Sequence, residues 1–308
     1  MAATEAIKTA PRPRRTSLRG GRRETGVALM FLAPALLGFV VFFLWPTIRG
    51  FYLSLTDYSL LQPPVFIGMK NYQELVKDPQ FWNALKVTLE YVVLNIGFQT
   101  VLALGLAVLL HRLTASTLLR GIVLLPYLIA NVIVALLWYW MADYNLGVIN
   151  QMLGWLHLGP FAFFGDSATS IPTIAFVNVW RHLGYTSLLI FAGLQTIPKD
   201  VYEAAAMDGA TEWKAFWRIT MPLMRPVMVL VLMLTVIGSW QIFDTVAVTT
   251  KGGPVNATRV IQYYIFDRAF TRYDFGYASA LSVILFLILA GVAFAQFRLL
   301  RGDDSDLN

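Results

Sequence analysis

The sequence contains six stretches that are long enough, and poor enough in charged residues, to cross a bilayer as helices. They are residues 27–48, 91–110, 121–142, 171–193, 226–243 and 277–297. About 20 helical residues span the roughly 30 Å of hydrocarbon in a bilayer. The first stretch is longer than the apolar core of a cleaved signal peptide, so we expect it to be retained. The sequence therefore predicts an all-α integral membrane protein with six transmembrane helices.

The composition supports this class and excludes others. Hydrophobic residues make up 57% of the chain and charged residues only 14%, whereas a soluble domain averages about 25% charged residues. The absence of cysteine excludes disulfides and Cys-based metal sites. The three histidines lie far apart in sequence, so we expect no metal site. No phosphate-binding P-loop motif occurs, so we expect this chain to bind no ATP itself.

The distribution of basic residues predicts the orientation. Most of the 24 Lys and Arg residues fall in the segments that become cytoplasmic when both termini lie inside. Residues 1–26 form a basic, proline-containing tail that we expect to be disordered and to contact anionic lipids rather than nucleic acid. The predicted organisation is this tail, a permease domain over residues 27–300 with a cytoplasmic loop at 198–222, and a short cytoplasmic tail at 301–308.

The loop between the fourth and fifth predicted spans has a helix–turn–helix pattern. Pro198 suits the first turn of a helix, and Gly209 suits a left-handed residue after its end. Thr211 can cap a second helix, on which an aromatic face is expected. That face consists of Trp213, Phe216 and Trp217. Pro222 is expected to end the second helix. From periodicity alone, a lever that docks into a soluble partner and an ordinary amphipathic connector are equally compatible with this pattern.

The same loop resembles the EAA loop of ABC importer permeases, whose pattern is E-A-A-x3-G-x9-I-x-L-P. The matching residues are Glu203, Ala204, Ala205, Gly209, Ile219 and Pro222, with Met221 where leucine is usual. In that family the loop forms a coupling helix that docks into a cleft of the ATP-binding subunit. The resemblance therefore implies that these residues, together with the neighbouring Asp208, couple the chain to an ATPase.

Three further segments resemble the carbohydrate branch of this family, which includes the maltose and glycerol-phosphate permeases. They are residues 66–84, with Phe66 to Tyr72 and Asp78 to Ala84; residues 243–258, with Phe243, Asp244, the Gly252-Gly253-Pro254 turn and Thr258; and residues 274–280. Together with the loop, the resemblance covers about residues 27–300. It implies the permease fold and import of a carbohydrate or related polyol.

The resemblance also implies the partners and the place of action. A second permease subunit, a dimer of ATP-binding subunits and an extracytoplasmic substrate-binding protein are expected, together with the lipids of the cell membrane. ATP and Mg²⁺ would be used by the partner ATPase, and this chain would not itself be an enzyme. The coupling loop would move with the ATPase and switch the cavity between inward-facing and outward-facing states.

Polar residues inside the predicted spans are candidates for a substrate path, since they are costly in lipid and normally face protein or water. The candidates are Asn178, Arg181, His182 and Tyr185 on the fourth span, Asn131 and Trp138 on the third, and Trp240, Gln241 and Asp244 on the fifth. For the fourth span the alternative is helix packing or a buried ion pair, for instance between Arg181 and Asp244. For the third span it is packing or interfacial anchoring, and for the fifth span it is a helix end that reaches water. For Asn95 and Gln99 on the second span, hydrogen bonding between helices is the favoured interpretation.

Other functions remain open at the level of sequence. Within the family, Arg181 could serve an anion, so a glycerol-phosphate importer is an alternative. A secondary carrier driven by an ion gradient, with Arg181 and Asp244 as a charged relay, is an alternative of another class. An intramembrane enzyme or assembly scaffold is disfavoured, because no acid–base pair is arranged for chemistry in the spans.

Overall fold

The computed structural model of the chain describes residues 22–113 and 116–300. Over these ranges nearly all regular structure is helical, and the one sheet is a small antiparallel pair, Thr56–Asp57 with Val65–Phe66. The expected all-α fold is confirmed. Residues 1–21 of the predicted N-terminal tail, 1–26, and the whole predicted C-terminal tail, 301–308, lie outside the described residues. The predicted disorder of the N-terminal tail stays a prediction.

The N-terminal segment, residues 22–49, is a unit of its own. It contains α1 (Arg22–Phe39), a π-helical turn (Val40–Leu44) and the start of α2 (Trp45–Leu53). The first helix therefore begins before Val27, where the sequence predicted the span to start. None of the side chains in its most apolar window is buried. A helix that is apolar all round and has no protein core around it is suited to contact with lipid.

The second unit, residues 50–308, holds the other helices. Its first half contains α3 (Lys70–Lys77), the long α4 (Pro79–Leu113), α5 (Thr117–Leu128), α6 (Asn131–Met141) and α7 (Val148–Trp155). Its second half contains α8 (Ser170–Leu194), α9 (Lys199–Met207), α10 (Glu212–Ala215), a π-helical turn (Phe216–Thr220), α11 (Met221–Leu223) and α12 (Arg225–Trp240). The chain continues with α13 (Asp244–Val248), α14 (Ile261–Phe266), a π-helical turn (Asp267–Thr271) and α15 (Phe275–Leu300).

Four helical segments are long and apolar enough to cross a membrane: Leu29–Leu53, Pro79–Arg112, Arg225–Val248 and Phe275–Arg298. The third predicted span is a bent pair, since α5 and α6 meet at an angle of 87°. The fourth predicted span is the 25-residue helix α8, which is long enough but carries the polar stripe of Asn178, Arg181 and His182. Four of the six predicted spans thus meet the length and apolarity criteria as single helices, and the bent pair meets them when its two helices are taken together. The count of six stays a prediction.

Helices α4, α8 and α12 pack around two separate apolar cores. One core includes Tyr91 and Ile174 and lies toward residues 249–274, and the other includes Ile190 and Val231 and lies toward residues 195–224. Between them the three helices carry buried amides and hydroxyls, listed here in chain order: Asn95, Gln99, Asn178, Thr186, Thr235 and Ser239. Buried polar groups are costly without partners, so this polar layer is a candidate functional site.

Candidate functional site

The loop between α8 and α12 has the local geometry that its sequence predicts. Gly209 follows α9 with φ of +74°, and its N–H donates to the Ala206 carbonyl while the Ala210 N–H donates to the Ala205 carbonyl at 2.9 Å. This pair of bonds is the Schellman arrangement, which needs a left-handed residue and therefore favours glycine. The predicted left-handed position of Gly209 is confirmed.

The second half of the loop is also capped as predicted. The Thr211 hydroxyl accepts a hydrogen bond from the Lys214 N–H at 3.4 Å, and the rings of Trp213, Phe216 and Trp217 contact one another with centroids 5.2–6.5 Å apart. Two details differ from expectation. Pro198 lies before the helix, in extended conformation, rather than in its first turn. Pro222 lies within α11 rather than ending the helical segment, because a proline in the first turn of a helix loses no hydrogen bond there.

Helix α9 has one exposed face and one buried contact. Glu203, Ala204, Asp208 and Gly209 are exposed, and Met207 at the tip is 89% exposed. Only the adjacent Ala205 in this run is buried. The structure therefore uses one alanine to seat the helix and leaves the remaining small and acidic side chains accessible to a partner.

The last two residues of the motif lie further along the loop. Ile219 is half-buried and Pro222 is exposed. The coupling roles of the whole motif stay predictions.

Two side-chain contacts, which the sequence analysis missed, join this loop to the bundle and to itself. Arg112 at the end of α4 forms an ion pair with Glu212, and the Tyr202 hydroxyl lies 3.0 Å from that of Thr220. A cavity of about 450 Å³, lined in part by His111 and Ala205, separates the loop from α4. The loop therefore contacts the bundle at a few points instead of packing flat against it.

A second cavity, of about 270 Å³, lies in the polar layer between α4, α5, α8 and α12. Its polar lining comprises Asn95, Gln99, Asn178, His182, Thr186, Thr235 and Ser239. Tyrosine rings complete the wall, and those of Tyr127 and Tyr185 are stacked with centroids 4.4 Å apart and planes within 10°. Amides, hydroxyls and an aromatic face are the groups that hydrogen-bond and stack on polyhydroxylated solutes.

The amides of this cavity also join the helices. Asn95 donates to the Ser239 hydroxyl at 2.8 Å and to the Gln99 carbonyl oxygen at 3.1 Å, and Gln99 donates to the Thr186 hydroxyl at 2.8 Å. The predicted hydrogen bonding between helices is confirmed for both residues. The Oδ1 atom of Asn95 is buried and has no partner. One buried acceptor of a residue that lines the cavity is therefore unused.

The predicted polar stripe on α8 divides in two. Asn178, His182 and Tyr185 line the cavity, whereas Arg181 does not. The Arg181 guanidinium donates to the main-chain carbonyls of Ile129 and Tyr127, each at 3.2 Å. These carbonyls lie at the end of α5, where the helix stops before its 87° bend and leaves them without helical partners. Arg181 thus stabilises a broken helix, as a cation at a helix C-terminus does.

His182 takes its protonation state from the same contacts. Its Nε2 lies 3.0 Å from Nη1 of Arg181, and its Nδ1 lies 2.9 Å from the Asn178 carbonyl oxygen. A guanidinium only donates, so Nε2 accepts and the proton resides on Nδ1. The imidazole is therefore neutral in this arrangement.

The remaining predicted path residues do not line this cavity. The Asn131 amide donates to the Asp244 carboxylate at 3.0 Å. In the described structure Arg181 and Asp244 form no direct ion pair, which corrects that alternative, and Asp244 acts on Arg181 only as a nearby charge. Trp138 packs against Phe176 and Trp180, with centroids 5.2 and 5.5 Å away.

Two further candidates lie near the end of α12. Trp240 is buried in the apolar core that includes Tyr91, and Gln241 is exposed. Roles of these residues in transport stay predictions.

A polar network that the sequence analysis did not find lies at the start of α4. The Asp78 carboxylate accepts hydrogen bonds from the hydroxyls of Tyr264 and Tyr277 and from the Gln80 N–H, and Arg268 lies 3.5 Å away. Burial by itself raises the pKa of Asp78, but these hydrogen bonds and the Arg268 charge outweigh it and hold the pKa below its usual value. The network joins α4, α14 and α15 into one end of the bundle.

Among the described residues, no group of three or more His, Asp or Glu side chains is placed to hold a metal ion. The chemistry available in the polar layer is hydrogen bonding and ring stacking, without a nucleophile–base pair.

Comparison with known proteins assigns the family. Residues 99–301 match the binding-protein-dependent transport system inner membrane component family. The trehalose/maltose transport system permease protein MalF of Thermococcus litoralis is 33% identical over 269 residues, covering 87% of this chain and 91% of that protein. The sn-glycerol-3-phosphate transport system permease protein UgpA of Pectobacterium atrosepticum is 31% identical, covering 92% of this chain and 97% of that protein.

A solved structure agrees with this assignment. A chain of a bacterial ABC transporter involved in the import of the acidic polysaccharide alginate superimposes with a TM-score of 0.80 at 25% identity, covering 92% of this chain and 97% of that one. Family match, relatives and fold all describe a transport component and not an enzyme. The chain belongs to the family of binding-protein-dependent transport system inner membrane components.

Proposed function

We propose that this chain is one of two transmembrane subunits of an ATP-driven importer for a carbohydrate or related polyol. The observation that carries this proposal is the cavity of about 270 Å³ in the polar layer, because its amides, hydroxyls and stacked tyrosines suit a polyhydroxylated solute. The similarity to a trehalose/maltose permease supports the same solute class. The substrate path would run through this layer, past Asn178, His182 and Tyr185.

Coupling to ATP hydrolysis would occur at the exposed face of α9. Glu203, Ala204 and Gly209 are accessible, and the capped turn after Met207 holds the tip in a fixed shape. A dimer of ATP-binding subunits, which would use ATP and Mg²⁺, would grip this tip from the cytoplasm. Helix α9, seated at Ala205, and α10, joined to α4 through the Glu212–Arg112 ion pair, would transmit the movement to the spans.

The remaining partners follow from the same proposal. The second permease subunit would complete the path, and an extracytoplasmic binding protein would deliver the solute at the opposite end of the bundle, near residues 249–274. Both termini and the loop at 198–222 would then lie in the cytoplasm, in agreement with the distribution of Lys and Arg. The chain would act in the cell membrane.

The ion-coupled carrier has less support. Its charged relay would use Arg181 and Asp244, and in the described structure the two make no direct contact: Arg181 donates to the end of α5 while Asp244 accepts from Asn131. A glycerol-phosphate substrate, as in one relative, requires a cation in the cavity, and among the described residues no Lys or Arg lines it.

Reconstitution tests the proposal. The chain is co-purified with its partner permease and ATPase, placed in proteoliposomes, and assayed for uptake of labelled trehalose and maltose with the cognate binding protein. We expect uptake that requires both ATP and the binding protein and that stops with a hydrolysis-deficient ATPase. Uptake by this chain without the ATPase, driven by an ion gradient, would establish the carrier instead.

A further inference from the structure

The polar layer contains no free charge for a solute to bind. Among the residues that the structure describes, no Asp, Glu, Lys or Arg lines the cavity of about 270 Å³. His182, its one readily ionised side chain near neutral pH, accepts a hydrogen bond from Arg181 at Nε2, which leaves the ring neutral, while its Nδ1 donates to the Asn178 carbonyl. Burying an unpaired anion is far more costly than burying a hydroxyl, so the lining discriminates by charge.

Arg181, the cation that contacts the cavity-lining residue His182, already donates its hydrogen bonds to groups of the protein. Arg181 directs Nε to the Ile129 carbonyl, Nη2 to the Tyr127 carbonyl and Nη1 to the His182 ring. The Tyr127 ring also covers it, with the centroid 5.2 Å from the guanidinium carbon. A phosphate or carboxylate could recruit Arg181 only by leaving the broken end of α5 without its hydrogen bonds, which is unfavourable at this depth.

The unpaired Oδ1 of Asn95 indicates that a solute should present a hydrogen-bond donor. Asn95 is 4% exposed and lines the cavity, and its Oδ1 is buried without a hydrogen-bond partner. The amide orientation is fixed, because the Ser239 hydroxyl already donates to the Thr235 carbonyl and must accept from Asn95 Nδ2. Oδ1 is therefore an unused acceptor beside the cavity, and a small movement of the Asn95 side chain would let a donor reach it. A solute hydroxyl is a donor, whereas an ionised phosphate or carboxylate oxygen is not.

We infer that this cavity takes an uncharged polyhydroxylated solute and excludes phosphorylated and acidic sugars, with Arg181 serving as a positioning residue for the bend and not as an anion site. The inference rests on the proposed function and narrows it. It separates this chain from the solutes named for two of its relatives, glycerol 3-phosphate and alginate, both of which carry negative charge.

Matched pairs of solutes test the inference on the assembled complex. The complex of this chain with its partner permease and ATPase is placed in nanodiscs without the binding protein, which removes the selectivity of that protein. Binding of trehalose is compared with that of trehalose 6-phosphate, and binding of methyl glucoside with that of methyl glucuronide, by saturation-transfer NMR and calorimetry. We expect each anion to bind at least tenfold more weakly than its neutral twin.

The outcomes separate this inference from the proposed function. If either anion binds within tenfold of its neutral twin, the charge selectivity is refuted while import of sugars stands. If no neutral solute binds and the reconstituted importer takes up none, both proposals are refuted. Two variants of Arg181 extend the test. If Arg181 is a positioning residue, Arg181→Lys retains part of the binding of neutral solutes that Arg181→Gln loses. Neither change then alters the tenfold preference for the neutral over the anionic solute. Selective loss of the anionic twin in Arg181→Gln would instead identify Arg181 as an anion site.

Discussion

The guanidinium of Arg181 donates a hydrogen bond to the main-chain carbonyl of Tyr127, 54 residues earlier in the chain, at 3.2 Å. Pro126 lies in the last turn of α5, and the helix breaks before α6, so carbonyls at this end lack helical donors. The guanidinium on α8 thus supplies hydrogen bonds to carbonyls that the break in α5 leaves without helical donors. The ring of Tyr127 then stacks on Tyr185 and forms one wall of the cavity.

Replacing Arg181 should therefore destabilise the bend. Arg181→Gln leaves at least one carbonyl unpaired, and we expect a loss of about 1–3 kcal/mol in the free energy of unfolding. Arg181→Lys should recover part of this loss, because an ammonium group donates but lacks the planar fork. Thermal unfolding of the purified complex measures both. Arg272→Gln, at a partly exposed loop position, is the control, and equal stability of Arg181→Gln and that control would contradict the role.

Gly184 allows α8 to approach α5 closely. A Cβ atom at this position would lie 1.9 Å from the Val123 carbonyl oxygen, and backbone cannot move aside cheaply. We expect Gly184→Ala to cost about 1–3 kcal/mol or more through overpacking. Gly97→Ala on α4 is the matched control, since nothing lies within 4 Å of its added methyl. That change should stabilise by about 0.5–1 kcal/mol, because alanine is the better helix former. Unfolding temperatures of the two variants moving in the same direction would refute the close approach.

Local signals in the sequence predicted the loop well. Gly209, Thr211 and the aromatic face each depend on a few neighbouring residues, and the structure confirms their geometry. Features that depend on contacts between residues far apart in the sequence were not predicted. Pro126 falls inside an apolar run, so the third span was predicted as continuous, and helical spacing placed Arg181 with Asn178 without revealing that its long side chain turns to α5.

The other missed features have the same cause. Asp78 contacts residues almost 200 positions away, and no pattern near Asp78 indicates those contacts. Trp138 on α6 has helical spacing that suits a path, but its ring packs among other aromatic residues. Hydrophobic periodicity identifies the buried face of a helix, and only the fold identifies which neighbour that face meets.

Coupling should depend on the tip of α9. Gly209→Ala forces a side chain into the left-handed region at φ of +74°, and Glu203→Lys reverses the charge of an exposed residue. We expect both variants to insert normally and to lose at least tenfold in ATP-driven uptake while the ATPase still hydrolyses ATP. Glu74→Lys, an exposed residue of α3, is the control. Wild-type uptake in both variants of α9 would remove this helix from the mechanism.

The stacked rings of the cavity give a prediction about solute affinity. Tyr185→Phe keeps the ring that stacks on Tyr127, whereas Tyr185→Ala removes it and opens the wall. Aromatic pairs contribute about 0.5–1.5 kcal/mol beyond area burial, so we expect Tyr185→Ala to weaken sugar binding by about tenfold and Tyr185→Phe to retain most of it. Titration of the complex in nanodiscs measures both affinities. A loss in Tyr185→Phe as large as that in Tyr185→Ala would assign the effect to the hydroxyl instead of the stack.

The network around Asp78 should make the stability of the folded protein decrease as the pH falls in the acidic range. Because the folded state holds the pKa of Asp78 below its unfolded value, the folded protein binds fewer protons, and the stabilisation is fully present above that unfolded value of about 4. It is lost as the pH falls through the lower folded pKa. We therefore expect the wild-type unfolding temperature to fall more steeply below pH 4 than that of Asp78→Asn, which is less stable at pH 7 but lacks this titration. Asp57→Asn, at an exposed position, is the control and should have the same pH profile as the wild type. Parallel pH profiles for the wild type and Asp78→Asn would show that the Asp78 carboxylate contributes nothing to holding α4, α14 and α15 together.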